Sequence, residues 1–411
     1  MAADDGGLAK TNGWIQSRFS HYYAQVDLDL PLRFTKREWA FLFFDKSFMV
    51  RHLAFLKRDQ LQVFLRDQAP RHVYYSTAYY SHPQAPTMAE KGWKGASLIF
   101  DLDSDHLRNT KGKSYEELLI EVKKEFIKLV DDFLVNKFGF SENEVHIVFS
   151  GGRGYHAHIE SPKVLELNSY ERREIVDRIT GKNIDINHYL IEFAYSSFRR
   201  TDGKGFSKKT YMMPPPDTGD WRGDLTRAAI SFFTGIRTLI NEHKHPEAVK
   251  KIADLWGLSE VDAIYYLEIL TKSDAAGFLK IDWMLRNGHV DFEEGMRKKF
   301  WTPFFNQIFI QSIGETDEPV TGDIKRLIRL PSSLHGKTGF MVKTIPFKEL
   351  DKFDPLNDAI CHSNKPISVL GLSDFEFNLK NISFKIQKGT HTELPEFAAL
   401  FACLRGIAQL G

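Results

Sequence analysis

Short apolar runs in the first 160 residues of this chain predict β-strands. Residues 72–80 are rich in β-branched and aromatic side chains, and residues 93–103 form an apolar run that ends in acids. Two further strand-like runs, residues 145–149 and 155–159, flank a glycine-rich turn. A strand, a tight glycine turn and a second strand together predict a β-hairpin.

The clearest predicted helix covers residues 114–138. Ser114 and Glu117 stand at the spacing of a capping box, in which each side chain satisfies a backbone N–H of the first turn. Apolar residues then recur every three or four positions, and Gly139 ends the pattern. The apolar positions are Leu119, Val122, Phe126, Leu129 and Phe133.

Other segments have weaker patterns. The first 70 residues predict mostly helix, including their aromatic cluster at residues 39–44. Residues 224–272 predict several helices, one of which begins at Ser259. Residues 307–310 have strand character because two of the four are isoleucines and one is phenylalanine.

The order of these elements predicts one α/β unit that a helical segment interrupts. A stretch rich in Lys, Gly and Pro at residues 199–220 predicts an exposed connection. Residues 397–404 are apolar and predict a helix packed on its own core, with docking to a partner as the alternative. The predicted division is a split core at residues 1–200 and 275–365, a mainly helical insertion at 201–274, and a C-terminal segment at 366–411.

Composition excludes several classes of protein. The chain has 411 residues with 42% hydrophobic and 27% charged residues, which is an ordinary globular mixture. Its two cysteines, Cys361 and Cys403, are too few for a disulfide scaffold or a cysteine-rich zinc site. The net charge of +1 gives no global sign of nucleic-acid or membrane binding, so such a partner would need a local patch.

Targeting signals are not apparent. The first 13 residues are small and polar and lack the basic-then-apolar order of a signal peptide. No run of about 18 uncharged apolar residues predicts a membrane span. We therefore expect a location in a reducing cytoplasm.

Asp101 and Asp103 end the apolar run at residues 93–103. Side chains two residues apart on a strand share a face, and two carboxylates held there repel each other unless a cation or protons neutralise them. Carboxylate oxygens suit Mg²⁺ or Mn²⁺. A solvated strand end is the alternative. The same string opens haloacid-dehalogenase phosphatases, but Asp105 stands where that family usually has Thr.

The hairpin turn contains a second candidate site, the segment Ser150-Gly151-Gly152-Arg153-Gly154-Tyr155-His156. Glycines allow backbone N–H groups to approach an anion, and Ser150, Arg153 and His156 add donors. This combination predicts a phosphate cradle, with a plain hairpin turn as the alternative. His158 shares a strand face with His156 and is interpreted as structural.

Residues 317–339 form a third candidate site, in which acids precede several cations. Arg329 is followed by Leu330-Pro331, so a helix is unlikely to continue there because proline disfavours helical geometry in the residue before it. His335 and Lys337 follow in a polar loop. This local basic surface suits a triphosphate.

Together these motifs resemble the small catalytic subunit of archaeal and eukaryotic DNA primase, particularly the archaeal form. The resemblance rests on DLD (101–103), SGGRGYH (150–156) and RLPSSLHGKTG (329–339), and extends from YYSTAYY (74–80) to FDPL (353–356). It implies an α+β fold, with a catalytic core around an antiparallel or mixed sheet flanked by helices, and an inserted helical subdomain. It also implies primer synthesis from NTPs or dNTPs on a single-stranded DNA template, with a large subunit as partner.

The resemblance also implies roles for individual residues. It implies a two-metal site for Mg²⁺ or Mn²⁺ and a set of phosphate contacts. Asp317 best matches the third acid because it precedes the segment Val320-Thr321-Gly322-Asp323, and Asp323 is the alternative. The implied metal ligands are Asp101, Asp103 and Asp317; the implied nucleotide contacts are Ser150, Arg153, His156, Arg329 and His335, with Lys337 adjacent.

One feature departs from the family pattern. Family members commonly carry a zinc knuckle near the first acidic motif, whereas residues 104–144 contain no cysteine and a single histidine, His106, which cannot hold zinc alone. We therefore expect no structural zinc. The alternatives to a primase are the haloacid-dehalogenase type of phosphatase and a non-catalytic nucleic-acid-binding subunit that retains the fold.

Overall fold

A computed structural model describes residues 5–107, 110–199, 205–290, 292 and 295–411. The chain divides into two units, one of Met1–Ile179 with Gly314–Gly411 and one of Thr180–Ile313. The amide of Gly314 donates to the carbonyl of Ile179 at 2.9 Å, so the first unit is closed where the second is inserted. The second unit extends beyond residues 201–274, the predicted insertion, at both ends.

Strands and helices alternate through the first unit, whereas helices dominate the second. The strands are β1 Trp39–Leu42, β2 Val50–Leu53, β3 His72–Ser76, β4 Ala78–Tyr80, β5 Trp93–Ala96, β6 Leu98–Asp103, β7 Val145–Phe149, β8 Gly154–Ile159, β9 Ile191–Arg199, β10 Gly205–Met212, β11 Leu327–Arg329, β12 Lys343–Ile345, β13 Pro366–Gly371, β14 Phe375–Leu379, β15 Ile382–Ile386, β16 His391–Pro395 and β17 Ala408–Leu410. The α-helices are α1 Asp5–Gln25, α2 Arg58–Gln68, α3 Met88–Lys91, α4 Tyr115–Lys128, α5 Ser169–Thr180, α6 Trp221–Asn241, α7 His245–Trp256, α8 Glu260–Thr271, α9 Lys280–Asn287, α10 Thr302–Ser312, α11 Glu318–Gly322, α12 Pro355–Asp358 and α13 Glu396–Leu404. Within the described residues, no helix is long and apolar enough to cross a membrane.

Two four-stranded sheets form the centre of the first unit, with strand orders β11-β3-β1-β2 and β12-β7-β8-β6. Every pairing within them is antiparallel. The Tyr75 hydroxyl on β3 lies 3.2 Å from Nδ1 of His158 on β8, which joins the two sheets through a buried polar contact. The predicted α+β class with antiparallel sheets is confirmed.

The strands predicted at residues 72–80 and 93–103 are confirmed, but each is broken into two. The breaks fall at Thr77 and Ser97, where the amide of Ser97 donates to the carbonyl of Thr77 at 2.9 Å. Arg37 also donates to the carbonyl of Thr77, at 2.8 Å, so these backbone groups are satisfied away from a regular ladder.

The helix predicted over residues 39–44 is wrong. Trp39, Ala40 and Phe41 are fully buried on β1, which pairs with β2 on one side and β3 on the other. A central strand buried on both faces has no polar alternation, so its apolar run alone does not separate strand from helix.

The helix predicted at residues 114–138 is confirmed, with the Ser114–Glu117 capping box in place. It is α4, continued by a π-helical segment over Leu129–Lys137, and Gly139 follows with a φ of 71°. The helices predicted within residues 224–272 are also confirmed, and Ser259 caps α8.

Two predictions in the second unit are wrong. Residues 307–310 belong to helix α10: Phe304 and Ile308 share its buried face, whereas Ile310 is 51% exposed. The stretch predicted as a connection at residues 199–220 contains strand β10, which pairs with β9 in a hairpin. Helix α10 contributes to the same apolar core as α6 and α8, and this shared core explains why the unit extends to Ile313.

The C-terminal helix α13 packs within the first unit, as predicted for residues 397–404. Every residue from Glu396 to Cys403 is buried. Helix α13 contacts β13, β16 and β17. This apolar stretch is therefore part of the core of the unit.

Arg172 stabilises the break between β5 and β6 by hydrogen bonds to its backbone. Its guanidinium is buried and donates to the carbonyls of Ala96, Ser97 and Leu167 at 2.8, 2.9 and 3.0 Å. We expect Arg172→Met to lower the free energy of unfolding by about 3 kcal/mol or more, because it leaves buried carbonyls without donors. Denaturant titration measures this loss.

The matched control is Arg66→Met on α2. Arg66 is exposed and, among the residues that the structure describes, pairs with its neighbour Asp67, so we expect a change of about 0.5 kcal/mol or less. Equal losses in the two variants would contradict the role of Arg172.

Candidate active site

The predicted acids Asp101, Asp103 and Asp317 are neighbours in the structure. Asp101 and Asp103 lie two residues apart on β6 and therefore share a face. Asp317 precedes α11, and its amide donates to the carbonyl of Asp101 at 2.9 Å. The Thr316 hydroxyl donates to the same carbonyl at 3.4 Å, so this segment runs beside the end of β6.

Asp323, the alternative third acid, has a different local role. Its carboxylate accepts the amide of Lys325 at 2.8 Å and so caps a turn. Its charge acts on Tyr80 and Arg172, whereas the charge of Asp317 acts on Asp101. Of the two candidates, Asp317 is therefore the one beside the β6 acids.

Crowding of the acids changes the protonation of Asp101. Burial, together with the charges of Asp103 and Asp317, raises the pKa of Asp101 to about 7. Arg329 and Arg326 oppose this rise without cancelling it. Burial is the largest cause of the rise, and repulsion from the two neighbouring acids adds to it.

The glycine turn between β7 and β8 is closed by its own hydrogen bonds. The amide of Ser150 donates to the carbonyl of Gly154 at 2.9 Å, and the Ser150 hydroxyl accepts the amides of Gly152 and Gly154 at 3.4 and 3.3 Å. Gly151 has a φ of 77°, which favours glycine. The predicted phosphate contact Ser150 thus has its hydroxyl directed into the turn.

Arg153 and His156 both lie against the acids. Nε of Arg153 is 3.8 Å from the Asp103 carboxylate, and its Nη2 is 2.5 Å from that of Asp105. His156 is paired with Asp101 across β6 and β8, and its Nε2 lies 3.4 Å from an oxygen of Asp101. Burial holds the pKa of His156 well below its usual range, so the imidazole is neutral.

His335 joins the basic segment to the glycine turn. A β-carbon on Gly151 would come within 2.7 Å of the His335 β-carbon, so only glycine leaves room for this contact. Nδ1 of His335 is 3.1 Å from the Thr338 hydroxyl, which donates to the carbonyl of Gly151 at 2.6 Å. Burial keeps the pKa of His335 well below its ordinary value.

Arg329 lies on β11 opposite Tyr74, with its guanidinium 5.8 Å from the ring. Its positive charge lowers the pKa values of Asp101, His156 and His335, which shows that it stands near all three. The buried Nε of Arg329 has no hydrogen-bond partner in the part of the chain that the structure describes. A group with an acceptor oxygen would satisfy this donor.

Lys337, the remaining predicted neighbour, is exposed. Its charge lowers the pKa values of His335 and His72. The structure thus brings the three predicted acids together with Arg153, His156 and Arg329. Ser150 and His335 form the adjoining turn, and Lys337 lies at its edge.

Two residues beside the site were missed by the sequence reasoning. Arg326 acts electrostatically on Asp101 and His156, and its place in the same basic run as Arg329 was an available signal. Tyr115 donates from its hydroxyl to the carbonyl of Gly152 at 2.6 Å. No local pattern marks Tyr115, since it follows the helix cap and meets the turn only through tertiary packing.

The donor chemistry of the acids fits a divalent cation, but their side chains are not yet arranged around one. Among the residues described, no group of three or more His, Cys, Asp or Glu side chains forms a metal site as placed. Asp103 instead accepts the Asp105 amide at 3.4 Å. Carboxylate oxygens are the ligands that Mg²⁺ or Mn²⁺ prefers, so the chemistry of these three acids suits such an ion.

Comparison with known proteins identifies the class to which this fold and site belong. A sequence profile of the DNA primase small subunit matches residues 100–345, which include all three acids, the glycine turn and the basic segment. The chain belongs to the DNA primase small subunit family, as the motifs predicted.

The similarity to particular relatives covers nearly the whole chain. DNA primase small subunit PriS of Methanococcoides burtonii is 38% identical over 98% of this chain and 99% of its own. PriS of Methanosarcina acetivorans is 39% identical, over 98% and 97%. Among solved structures, the polymerase domain of Mycobacterium tuberculosis ligase D in complex with DNA is weakly similar, at 12% identity over 83% of each chain and a TM-score of 0.34. The phosphatase and non-catalytic alternatives gain no support.

The raised pKa of Asp101 predicts a specific effect of pH on stability. In the folded protein this pKa is about 7, compared with 3.8 for an ordinary carboxyl. Between these values the unfolded chain releases a proton that the folded chain keeps. Ionisation of Asp101 therefore lowers the stability of the folded protein as pH rises from about 4 through 7, by at most about 4 kcal/mol.

Asp101→Asn removes this titration. Melting temperatures are measured from pH 4 to 8 in the presence of a metal chelator. The melting temperature of the variant, relative to that of the unmodified protein, should increase as pH rises. A difference between the two that stays constant with pH would contradict the raised pKa.

Proposed function

We propose that this protein is the catalytic subunit of a DNA primase, which joins nucleotides into short primers on a single-stranded DNA template. The observation that carries the proposal is the meeting of three carboxylates with a glycine turn and a cationic strand at the end of β6. Membership of the DNA primase small subunit family supports the same conclusion.

In this proposal Asp101, Asp103 and Asp317 hold the divalent cations Mg²⁺ or Mn²⁺. Two such ions, when bound, lower the pKa of an attacking hydroxyl and neutralise charge on a triphosphate. The buried position of Asp101 makes its carboxylate responsive to added positive charge, because little solvent screens it. The neutral His156 imidazole, 3.4 Å away, orients this carboxylate without competing as a cation.

In this proposal the triphosphate of the incoming nucleotide is bound by the arginines beside the acids. Arg329 has an unpaired buried Nε for a phosphate oxygen, and Arg153 supplies a second guanidinium at the mouth of the turn. His335 packs on Gly151 and Gly152 and so fixes the shape of the turn. These groups position the substrate and neutralise its charge, which is the main protein contribution to phosphoryl transfer.

The partners in this proposal are a primase large subunit, the template and NTPs or dNTPs. The relatives are named small subunits, which implies a larger companion. A net charge of +1 gives the whole chain little general attraction for DNA. Sharing the grip on the template with a large subunit accords with that balance.

Substitution of the two candidate third acids tests the metal assignment. Asp317→Asn should lower primer synthesis by at least about 100-fold, because it removes a carboxylate that would hold the divalent cations, and these in turn neutralise charge on the triphosphate. Asp323→Asn is the matched control, since the amide oxygen can still cap Lys325. Synthesis is measured with labelled NTPs, Mn²⁺, a single-stranded template and the large subunit.

A second readout does not depend on synthesis. Mn²⁺ should raise the melting temperature of the unmodified protein and of Asp323→Asn, and raise that of Asp317→Asn less. Loss of synthesis in Asp323→Asn with retention in Asp317→Asn would overturn the assignment. No template-dependent product from the unmodified protein would favour the non-catalytic alternative.

Tyr115→Phe tests the positioning of the glycine turn. The change removes only the hydroxyl that donates to Gly152, an interaction of about 1 kcal/mol. We expect the KM for nucleotide to rise about fivefold with kcat nearly unchanged. Tyr170→Phe, at a tyrosine that is 68% exposed, should leave both constants unchanged. An unchanged KM in Tyr115→Phe would contradict the role.

A further inference from the structure

A cavity with charged side chains around it lies in the first unit, apart from the acids. Its volume is about 490 Å³, within the range of small-ligand sites. Three cationic side chains line it, those of Arg33, Lys36 and Lys94. Tyr79 and Glu166 line it as well. We call this cavity the Tyr79 pocket.

The charge of the Tyr79 pocket is positive and uncompensated. Arg33, Lys36 and Lys94 are exposed, and none forms a salt bridge within the described part of the chain. Glu166 is the one acid that lines the cavity. Three cations with one anion around a concave surface favour a ligand of negative charge.

Tyr79 gives the pocket a firm floor. The residue is 5% exposed, and two guanidinium groups contact its ring, Arg33 at 4.6 Å and Arg37 at 5.0 Å from the ring centre. A β-carbon on Gly95 would come within 2.9 Å of the ring, so the backbone of β5 closes against it. The ring has little freedom to move, and the floor is therefore preformed.

The Tyr79 hydroxyl is buried and accepts a side-chain hydrogen bond from Arg33; because a guanidinium can only donate, the hydroxyl's own proton has no acceptor among the described residues. Burial raises the pKa of this hydroxyl, so it remains a proton donor at neutral pH. A buried donor without an acceptor is unfavourable, and an acceptor oxygen in the pocket would remove that cost. This supports a ligand with oxygen acceptors as well as negative charge.

The backbone at the rim also carries strain. Arg33 has a φ of 56°, in the left-handed region that non-glycine residues rarely adopt. It begins the short 3₁₀ helix Phe34–Lys36, so one turn brings both Arg33 and Lys36 to the cavity. Such strain costs about 1 kcal/mol or more and is typical of sites that position a side chain for binding.

The Tyr79 pocket is separated from the acids by a chain of buried contacts. Arg37, beneath Tyr79, forms a salt bridge with Glu160 at 2.7 Å and lies 5.4 Å from the ring of Tyr75. Tyr75 contacts His158, whose ring stacks on His156 beside Asp101. The pocket is thus a different place from the triphosphate contacts of Arg329.

We propose that the Tyr79 pocket binds a phosphate group, and that this phosphate belongs to a nucleic-acid strand held outside the active site. Arg33, Lys36 and Lys94 neutralise the phosphate, and the Tyr79 hydroxyl donates to one of its oxygens. The assignment of this phosphate to a nucleic-acid strand rests on the proposed primase function. Binding of a phosphate group in the pocket does not itself require that the protein be catalytic.

Charge reversal at the rim tests the proposal in the full-length protein. The double variant Lys36→Glu, Lys94→Glu should weaken binding of a fluorescent single-stranded 20-mer by about 10-fold or more. Its plot of log affinity against log salt should lose about 0.7 in slope, because the contact with one phosphate is removed. The control Lys365→Glu, Lys388→Glu changes the net charge equally at two exposed lysines. Equal weakening and equal slopes in the two double variants would overturn the proposal.

Two further measurements separate the source of the phosphate from a folding defect. Tyr79→Phe keeps the ring and should weaken binding of the 20-mer about threefold without lowering the melting temperature. Inorganic pyrophosphate at millimolar concentration should compete with the 20-mer only in proteins with an intact pocket. The strand assignment is overturned if pyrophosphate stabilises the unmodified protein but not the Lys36→Glu, Lys94→Glu variant, while both proteins bind the 20-mer equally well.

Because these are binding measurements, they distinguish the two proposals. Asp101→Asn should bind the 20-mer with an unchanged salt slope even though it cannot extend a primer. A protein that made no primers yet lost binding in the Lys36→Glu, Lys94→Glu variant would refute the proposed function and support the pocket. If the unmodified protein makes primers and that variant binds the 20-mer normally, the proposed function is supported and the pocket proposal is refuted.

Discussion

Six residue pairs hold β6 against β8, and their register places Asp101 opposite His156 and Asp103 opposite Gly154. The fit allows no side chain at Gly154, because a β-carbon there would lie 2.5 Å from the carbonyl oxygen of Leu102. A slip of one residue would turn both acids to the other face of the sheet. The candidate site therefore depends first on backbone pairing and only then on the chemistry of its side chains.

The second constraint is electrostatic. Three carboxylates meet where burial and mutual repulsion raise the pKa of Asp101, and the nearby histidines His156 and His335 are kept neutral by burial. Permanent positive charge comes from arginines such as Arg326 and Arg329. The net charge of +1 for the whole chain thus conceals strong local charges of both signs. This combination of charges is consistent with the proposed binding of divalent cations and phosphate groups.

The insertion of the second unit leaves this arrangement intact. The chain leaves the first unit at Ile179 and returns at Gly314, and a backbone hydrogen bond joins the two points. Asp317 follows three residues after the return and lies directly beside β6. The hydrogen bond between Gly314 and Ile179 therefore helps to place the candidate third acid, Asp317, beside Asp101, although more than 200 residues separate the two in sequence. The Tyr79 pocket shows that the same unit also holds cations far from these acids.

Elements governed by local interactions were predictable from the sequence. The capped helix α4 and the β7–β8 hairpin depend on neighbours a few residues away, so Ser114, Glu117 and the glycines were sufficient to predict them. The family was also predictable, since its motifs are short and contiguous. Segments without a distinctive local pattern were not: residues 39–44 form a central strand, and residues 307–310 lie in a helix.

Tertiary structure alone decided how distant residues meet. The sequence favoured Asp317 and left Asp323 as the alternative; the hydrogen bond from the Asp317 amide to Asp101, and the charge of Asp317 acting on Asp101, distinguish their positions. It gave no sign that Tyr115 would reach Gly152, or that Arg33, Lys36 and Lys94 would share one cavity. Motif order and local propensity are properties of neighbouring residues. Contacts across tens or hundreds of residues depend on packing and strand register, which the folded chain fixes as a whole.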